Sequence, residues 1–107
     1  MSSVVVSFAK YVPRVAIVTG ASRGLGRAIV HRLADDGIDV AINDIATERN
    51  DMDKVVEEVN QKGRRAIAIP GDVSHEPDVV AMVERTAKEL GSVDIVSPSA
   101  PLGRIQI

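Results

Sequence analysis

The glycine-rich segment Thr19-Gly20-Ala21-Ser22-Arg23-Gly24-Leu25-Gly26 constrains the fold of this chain more than any other feature. An apolar, β-branched run at residues 15–18 precedes it, and a helical pattern through Ala28, Ile29 and Leu33 follows it. In such a strand–turn–helix, the glycines let the backbone turn sharply and approach a bound anion, and the helix offers unpaired N–H groups. The segment therefore predicts a cradle for a phosphate or pyrophosphate, against the alternative of a plain connecting turn.

Short apolar runs alternate with helical patterns along the rest of the chain. We predict four strands, at residues 14–19, 39–43, 66–69 and 93–97, and three helices, at about residues 24–36, 47–62 and 76–90. Each predicted helix ends beside a glycine, at Gly37, Gly63 and Gly91. This alternation predicts an α/β protein with a Rossmann-like, doubly wound parallel sheet, truncated to about four strands in the order 3-2-1-4.

The second and third predicted helices each carry apolar residues at spacings of three and four, which predicts one buried stripe per helix. These stripes are Met52, Val55, Val56 and Val59 in the second helix, and Val79, Val83, Ala87 and Leu90 in the third. Ser74 is positioned to cap the start of the third helix.

Composition limits the classes of partner. The 107 residues suffice for one domain, and the net charge of −2 gives no reason to expect nucleic acid or an anionic membrane as a partner. The first residues form too short an apolar stretch for a membrane span or a signal-peptide core. The chain has no cysteine, which excludes disulfides and thiolate sites and fits a cytoplasmic location.

Two charged residues bear on the choice between NAD and NADP. Asp44 directly follows the second predicted strand, where a carboxylate accepts hydrogen bonds from both ribose hydroxyls and repels a 2′-phosphate. Arg23, beside the glycine turn, favours the opposite choice because a guanidinium can hold a 2′-phosphate. We predict NAD, with NADP as the alternative; the plain alternative for Asp44 is a loop residue that caps the next helix.

Asp72 and Val73 follow the third predicted strand. The Asp72 carboxylate could accept a hydrogen bond from the adenine amino group, and Val73 could pack on the ring. An equally strong interpretation is an Asp/Ser turn that begins the third helix.

No residue is predicted to be catalytic or to bind a metal. His31 and His75 are far apart in the sequence and are interpreted as surface residues. No serine has a recognisable histidine and carboxylate partner. Tyr11, the only tyrosine, precedes the first strand without a lysine placed to lower its pKa.

Together these segments resemble the short-chain dehydrogenase/reductase family. The resemblance rests on the glycine segment, on Asp44, on Gly71-Asp72-Val73-Ser74 and on residues 90–96, and covers residues 14–96. Residues 40–44 look most like those of acetoin or diacetyl reductases and the related acyl-carrier-protein reductases.

The resemblance implies a set of cofactor-binding residues. The backbone around Ser22, Arg23 and Leu25 would line the cofactor, Asp44 with the adjacent Ile45 would hold the ribose, and Asp72 with Val73 would hold the adenine. The chain departs from the family after Val96, because Pro98-Ser99-Ala100-Pro101 replaces the usual Asn-Asn-Ala-Gly. The family's catalytic serine and Tyr-x-x-x-Lys pair have no counterpart in the sequence.

We therefore expect an N-terminal extension at residues 1–13, a partial dinucleotide-binding domain at 14–97 and an aberrant tail at 98–107. The resemblance implies an NAD(P)-dependent oxidoreductase that transfers hydride between carbonyl and alcohol, present here as a cofactor-binding fragment. The alternatives are a nucleotide-binding module without catalysis and a non-functional truncated product. The expected partner is a nicotinamide dinucleotide, with self-association only through an exposed sheet edge.

Overall fold

The computed structural model describes residues 13–98 of the chain. Strands and helices alternate strictly along this part. In chain order the elements are β1 (Val15–Thr19), α1 (Gly24–Asp35), β2 (Asp39–Asp44), a 3₁₀ helix (Ala46–Glu48), α2 (Arg49–Gln61), β3 (Ala66–Pro70), α3 (Glu76–Leu90) and β4 (Ile95–Pro98). Most of the predicted extension and tail, including Tyr11 and Pro101, lies outside the described residues.

The four strands form one parallel sheet in the order β3-β2-β1-β4. Val15 pairs with Asp39, and Ala16 pairs with Ile95 on the other side of β1. This confirms the predicted strand order. The chain proceeds outward from β1 to β2 and β3 and then returns to β4, so the winding reverses between β1 and β4. In sheets of this kind, ligands bind outside the carboxyl ends of the strands at that reversal.

Helices cover both faces of the sheet. The α1–α2 face buries Val18 and Ile42 of the strands. The opposite face packs Val15 and Ile17 against α3. The predicted stripe of α2 is confirmed: Met52, Val55 and Val59 are buried in the first cluster, and Val56 is partly buried against it.

The predicted stripe of α3 is partly wrong. The helix buries Met82, Thr86 and Leu90, whereas Val83 and Ala87 are exposed. Thr86 tolerates burial because its hydroxyl donates a hydrogen bond to the Met82 carbonyl oxygen at 2.7 Å. Val83 and Ala87 belong to the predicted apolar stripe, but the helix is oriented so that these two residues face away from the core.

Two predictions at element ends are also wrong. The residue that precedes α3 is His75, and no side chain in the described part of the chain caps that helix. The Ser74 hydroxyl instead donates to Asp72 Oδ1 at 2.6 Å. The fourth strand begins at Ile95 instead of residue 93, and it includes Pro98, which pairs with Thr19. Proline is tolerated there because β4 is the edge of the described sheet and Pro98 is its last residue.

Within residues 13–98, no helix combines the length and the apolar character that a membrane span requires.

Candidate functional site

The glycine turn after β1 allows α1 to pack directly against the backbone of that turn. Gly20 and Gly24 both have positive φ, 61° and 60°, a conformation that side-chain-bearing residues rarely adopt. A Cβ on Gly26 would lie 2.1 Å from the Gly20 carbonyl oxygen and 2.9 Å from the Ala21 Cα. Only glycine fits at position 26 without displacing the turn.

The N-terminus of α1 is open to an anion. Arg23 precedes the helix in an extended conformation, and no side chain of residues 13–98 caps the helix. The first turn of α1 contains no acidic residue, whereas α2 has Asp51, and α3 has Glu76 and Asp78, in theirs. The positive end of the α1 dipole and its first N–H groups are therefore not neutralised by a carboxylate of that turn.

Asp44 ties the end of β2 to the glycine turn. Its Oδ2 accepts hydrogen bonds from the Ser22 hydroxyl at 2.6 Å and from the Ser22 backbone N–H at 3.2 Å. Its Oδ1 accepts one from the Ile45 backbone N–H at 2.9 Å. A carboxylate offers about four acceptor positions, so within residues 13–98 these bonds leave one for a ribose hydroxyl. In this structure Asp44 caps the turn and not the helix that follows.

Asn43 is a structural residue of the site that the sequence analysis missed. It is buried, and its side-chain N–H₂ donates to the Ile69 carbonyl oxygen at 2.9 Å and to that of Gly71 at 3.3 Å. The Asn43 backbone carbonyl oxygen accepts a hydrogen bond from the Ala21 backbone N–H at 2.9 Å. Asn43 thus joins the ends of β1, β2 and β3. The available signal was an amide side chain directly after the apolar run Val40-Ala41-Ile42 of β2.

Asp72 forms the turn that leads into α3. Its Oδ1 accepts hydrogen bonds from the Ser74 hydroxyl and the Ser74 N–H, at 2.6 and 2.8 Å, and these bonds lower the pKa of the Asp72 carboxyl. The Asp72 N–H in turn donates to Asp78 Oδ2 at 2.9 Å, which together with His75 lowers the pKa of Asp78. Both carboxylates are ionised at neutral pH. The Asp/Ser turn is therefore present, and both bonds to the Asp72 carboxylate use a single oxygen.

Three exposed apolar side chains surround this edge of the sheet. Leu25 in the first turn of α1 is 67% exposed, Ile45 after β2 is 51% exposed, and Val73 after β3 is 48% exposed. Each follows the carboxyl end of a different strand. Exposed apolar side chains at three successive strand ends provide surfaces on which a planar or sugar ring can pack.

Basic side chains between α1 and α2 are held by carboxylates. Arg23 contacts Glu48, and Arg27 binds both oxygens of Glu58. His31 Nε2 lies 2.7 Å from Glu58 Oε1. The hydrogen bond from Arg27, supplemented by that from His31, holds the pKa of Glu58 below its ordinary value. In the described part of the chain, no cluster of three or more histidine or carboxylate groups suits a metal ion.

The predicted site residues all lie at the carboxyl edge of the sheet. Ser22 and Asp44 are in direct contact, and the Gly71 N–H donates to the Asp44 carbonyl oxygen at 3.0 Å. Asp72 and Val73 are thereby held next to the end of β2, although the side-chain bonds of Asp72 lead to the start of α3.

These features define a class: α/β proteins with a glycine cradle at the point where a doubly wound sheet reverses its winding. A protein-family model described as short chain dehydrogenase matches residues 14–106. The chain belongs to the short-chain dehydrogenase family.

Individual relatives match over most of the chain. A short-chain dehydrogenase/reductase of Hericium erinaceus is 47% identical over 88 residues, which are 80% of this chain and 35% of that protein. A 3-oxoacyl-acyl-carrier-protein reductase of Staphylococcus aureus is 39% identical over 89 residues, which are 83% of this chain and 36% of that protein. The chain thus spans about a third of the length of these curated relatives.

Solved structures show the same fold. A blue fluorescent protein from a metagenomic library, in complex with NADPH, superposes with a TM-score of 0.74 at 41% identity, over 87% of this chain and 40% of that one. L-sorbose reductase from Gluconobacter frateurii, complexed with NADPH and L-sorbose, superposes with a TM-score of 0.71 at 27% identity, over 78% and 32% of the respective chains.

Proposed function

We propose that this chain carries the part of an NAD(P)-dependent oxidoreductase that binds the adenosine and pyrophosphate of the cofactor. The observation that carries the proposal is the glycine turn at the reversal point of the sheet, where α1 contacts the turn backbone too closely for any residue but glycine. The open N-terminus of α1 supplies N–H donors and a positive dipole for a pyrophosphate. The hydrogen-bond donors at this helix N-terminus therefore fit the pyrophosphate of a dinucleotide.

The roles of individual residues follow from their positions. The backbone around Ser22, Arg23 and Leu25 is proposed to line the cofactor, and the N–H groups of Arg23, Gly24 and Leu25 are proposed to bind the pyrophosphate, since the Ser22 N–H donates to Asp44. Asp44 and Ile45 would contact the ribose, since the carboxylate retains one acceptor position and Ile45 is half exposed. Asp72 would accept from the adenine amino group through its second oxygen, and Val73 would pack on the ring.

The cofactor, when bound, supplies hydride to a carbonyl carbon or accepts it from an alcohol. We propose this carbonyl–alcohol chemistry for the complete protein. Residues 40–44 resemble those of acetoin or diacetyl reductases and the related acyl-carrier-protein reductases, and this resemblance is consistent with carbonyl–alcohol chemistry. The chain's own contribution is to bind and orient the adenosine half.

We further propose that NAD is preferred over NADP. A negative carboxylate at the end of β2 repels a 2′-phosphate, and Asp44 is fixed there by three hydrogen bonds. NADP is the competing candidate, because Arg23 lies beside the turn and two of the solved relatives hold NADPH.

Calorimetric titration of the purified chain with NAD, NADP and ADP-ribose tests the proposal. We expect weak binding of NAD and ADP-ribose, and weaker binding of NADP. Absence of binding for all three ligands would refute the proposed cofactor site. Equal or tighter binding of NADP would refute only the preference for NAD.

A further inference from the structure

Arg23 is an exposed cation whose partner lies on a different element. Its side chain is 68% exposed and precedes α1, next to the glycine turn. Glu48, which contacts the guanidinium, ends the 3₁₀ helix that follows β2, and its side chain is only 19% exposed. The ion pair therefore joins the two loops between which the adenosine ribose of the proposed cofactor would lie.

A small cavity next to this pair contains further charges. It has a volume of about 220 Å³, and Arg23, Arg27 and Lys54 line it together with Ser22 and Asp51. Each cation has a carboxylate nearby: Glu48 contacts Arg23, Glu58 binds Arg27, and Asp51 lies 3.9 Å from Lys54. Positive and negative charges are thus balanced around the cavity, although three basic side chains reach it.

This balance opposes the binding of another anion. A phosphate monoester carries a charge of about −1.5 to −2 at neutral pH and would compete for the guanidinium that Glu48 already holds. Arg23 is released more readily than Arg27, because it is more exposed and contacts Glu48 through one nitrogen, whereas Arg27 donates to both oxygens of Glu58.

We propose that Glu48 is a specificity-determining residue that lowers the affinity of the site for a 2′-phosphorylated adenosine by occupying Arg23. The proposal rests on the dinucleotide site proposed above. Glu48 acts together with Asp44 but by a different route: Asp44 meets the ribose itself, and Glu48 withholds the cation that a 2′-phosphate would use. An adenosine without this phosphate does not require Arg23, so its affinity is independent of Glu48.

The test compares ADP-ribose with 2′-phospho-ADP-ribose on the full chain, by calorimetry at low ionic strength, where charge effects are least screened. We expect Glu48→Gln to tighten binding of 2′-phospho-ADP-ribose about twofold to fivefold, the range for one partly exposed ion pair, and to leave ADP-ribose unchanged. The Arg23 side-chain Nε–H resonance should shift on addition of 2′-phospho-ADP-ribose to Glu48→Gln. Unchanged melting curves would show that the variant is folded.

Two control variants isolate the mechanism. Glu57→Gln removes the same charge from an exposed position on α2 and should not change the ratio of the two affinities. In the background of Arg23→Gln, the substitution Glu48→Gln should have no effect on that ratio. An equal gain in Glu57→Gln, a gain that persists without Arg23, or no gain at all would overturn the role of Glu48. Failure of the unsubstituted chain to bind either ligand would instead refute the dinucleotide site.

Discussion

The substitution Gly26→Ala tests the close approach of α1 to the glycine turn. The added Cβ would lie 2.1 Å from the Gly20 carbonyl oxygen, far inside the 3.4 Å at which ordinary contact begins. The obstructing atoms belong to the backbone, so no side chain can rotate to relieve the contact. The turn and the helix must therefore separate by more than 1 Å.

The magnitude follows from two opposing effects. Alanine in a helix is favoured over glycine by about 1 kcal/mol, and overpacking of this kind costs typically 1–3 kcal/mol and occasionally more. Because the contact is with backbone, we expect the upper part of that range and a net loss of about 1–2 kcal/mol in the free energy of unfolding. For a domain of this size, such a loss lowers Tm by roughly 5–15 °C. Displacement of the turn N–H groups should weaken ADP-ribose binding at least about tenfold, the equivalent of one lost hydrogen bond of 1.4 kcal/mol.

Gly63→Ala is the matched control. Unlike Gly26, Gly63 has a positive φ, 84°, but a Cβ there meets nothing within 4 Å, and it lies beyond α2 at the amino edge of the sheet. An alanine in that left-handed backbone conformation lowers the free energy of unfolding by about 1–2 kcal/mol. The two variants should thus lose similar stability in thermal melts, but only Gly26→Ala should lose ADP-ribose binding. Unchanged stability and binding in Gly26→Ala would refute the reasoning.

Three further predictions concern charge and chemistry. Asp44→Ala should weaken NAD binding and abolish the disadvantage of NADP, whereas Ser22→Ala, which keeps the carboxylate, should preserve the preference; calorimetry with both cofactors distinguishes these outcomes. The pKa of Glu58 is lowered in the folded chain, so its contribution is present above about pH 4.5 and is lost as the pH falls through its folded pKa. Glu58→Gln should therefore reduce stability at pH 7 by less than about 1 kcal/mol, and this loss should shrink as the pH falls below 4.5, as urea unfolding over a series of pH values can show. The purified chain should not oxidise NADH with small ketones or diketones, because its only tyrosine, Tyr11, precedes β1 without a lysine placed to lower its pKa. Loss of general acid catalysis lowers the rate about 10²–10⁴-fold. Turnover that is abolished by Tyr11→Phe would contradict this prediction.

The strand order and the position of the glycine turn could be predicted because they depend on local patterns. Short β-branched runs, helical spacing and glycine positions leave few topologies for a right-handed parallel sheet. The buried stripe of α2 followed from the same logic, since the polar residues of that helix leave only one apolar face.

The rotation of α3 could not be predicted from its pattern. Val83 and Ala87 compete with Met82 and Thr86 for the core, and the outcome depends on whether a threonine hydroxyl finds a partner inside its own helix. Periodicity describes only the apolarity of residues and contains no information about that hydrogen bond.

The contacts within the candidate site depend on pairing across elements. Asn43 joins three strand ends, and Glu48 contacts Arg23 from the 3₁₀ helix, 25 residues later in the chain. Neither contact can be recognised from a pattern of neighbouring residues in the sequence. The roles predicted for Asp44 and Asp72 toward a cofactor stay predictions, and the structure adds the hydrogen bonds with Ser22 and Ser74 that position them.

The central claim is that the carboxyl edge of this sheet binds the adenosine half of a dinucleotide, and NMR titration of the ¹⁵N-labelled chain with ADP-ribose tests it most directly. We expect the largest amide shifts in the glycine turn at residues 20–26, with further shifts at Ile45 and Val73. Amides at the opposite edge, such as Arg65 and Gly91, should not move. Shifts confined to that opposite edge, or no shifts at saturating ADP-ribose, would contradict the account.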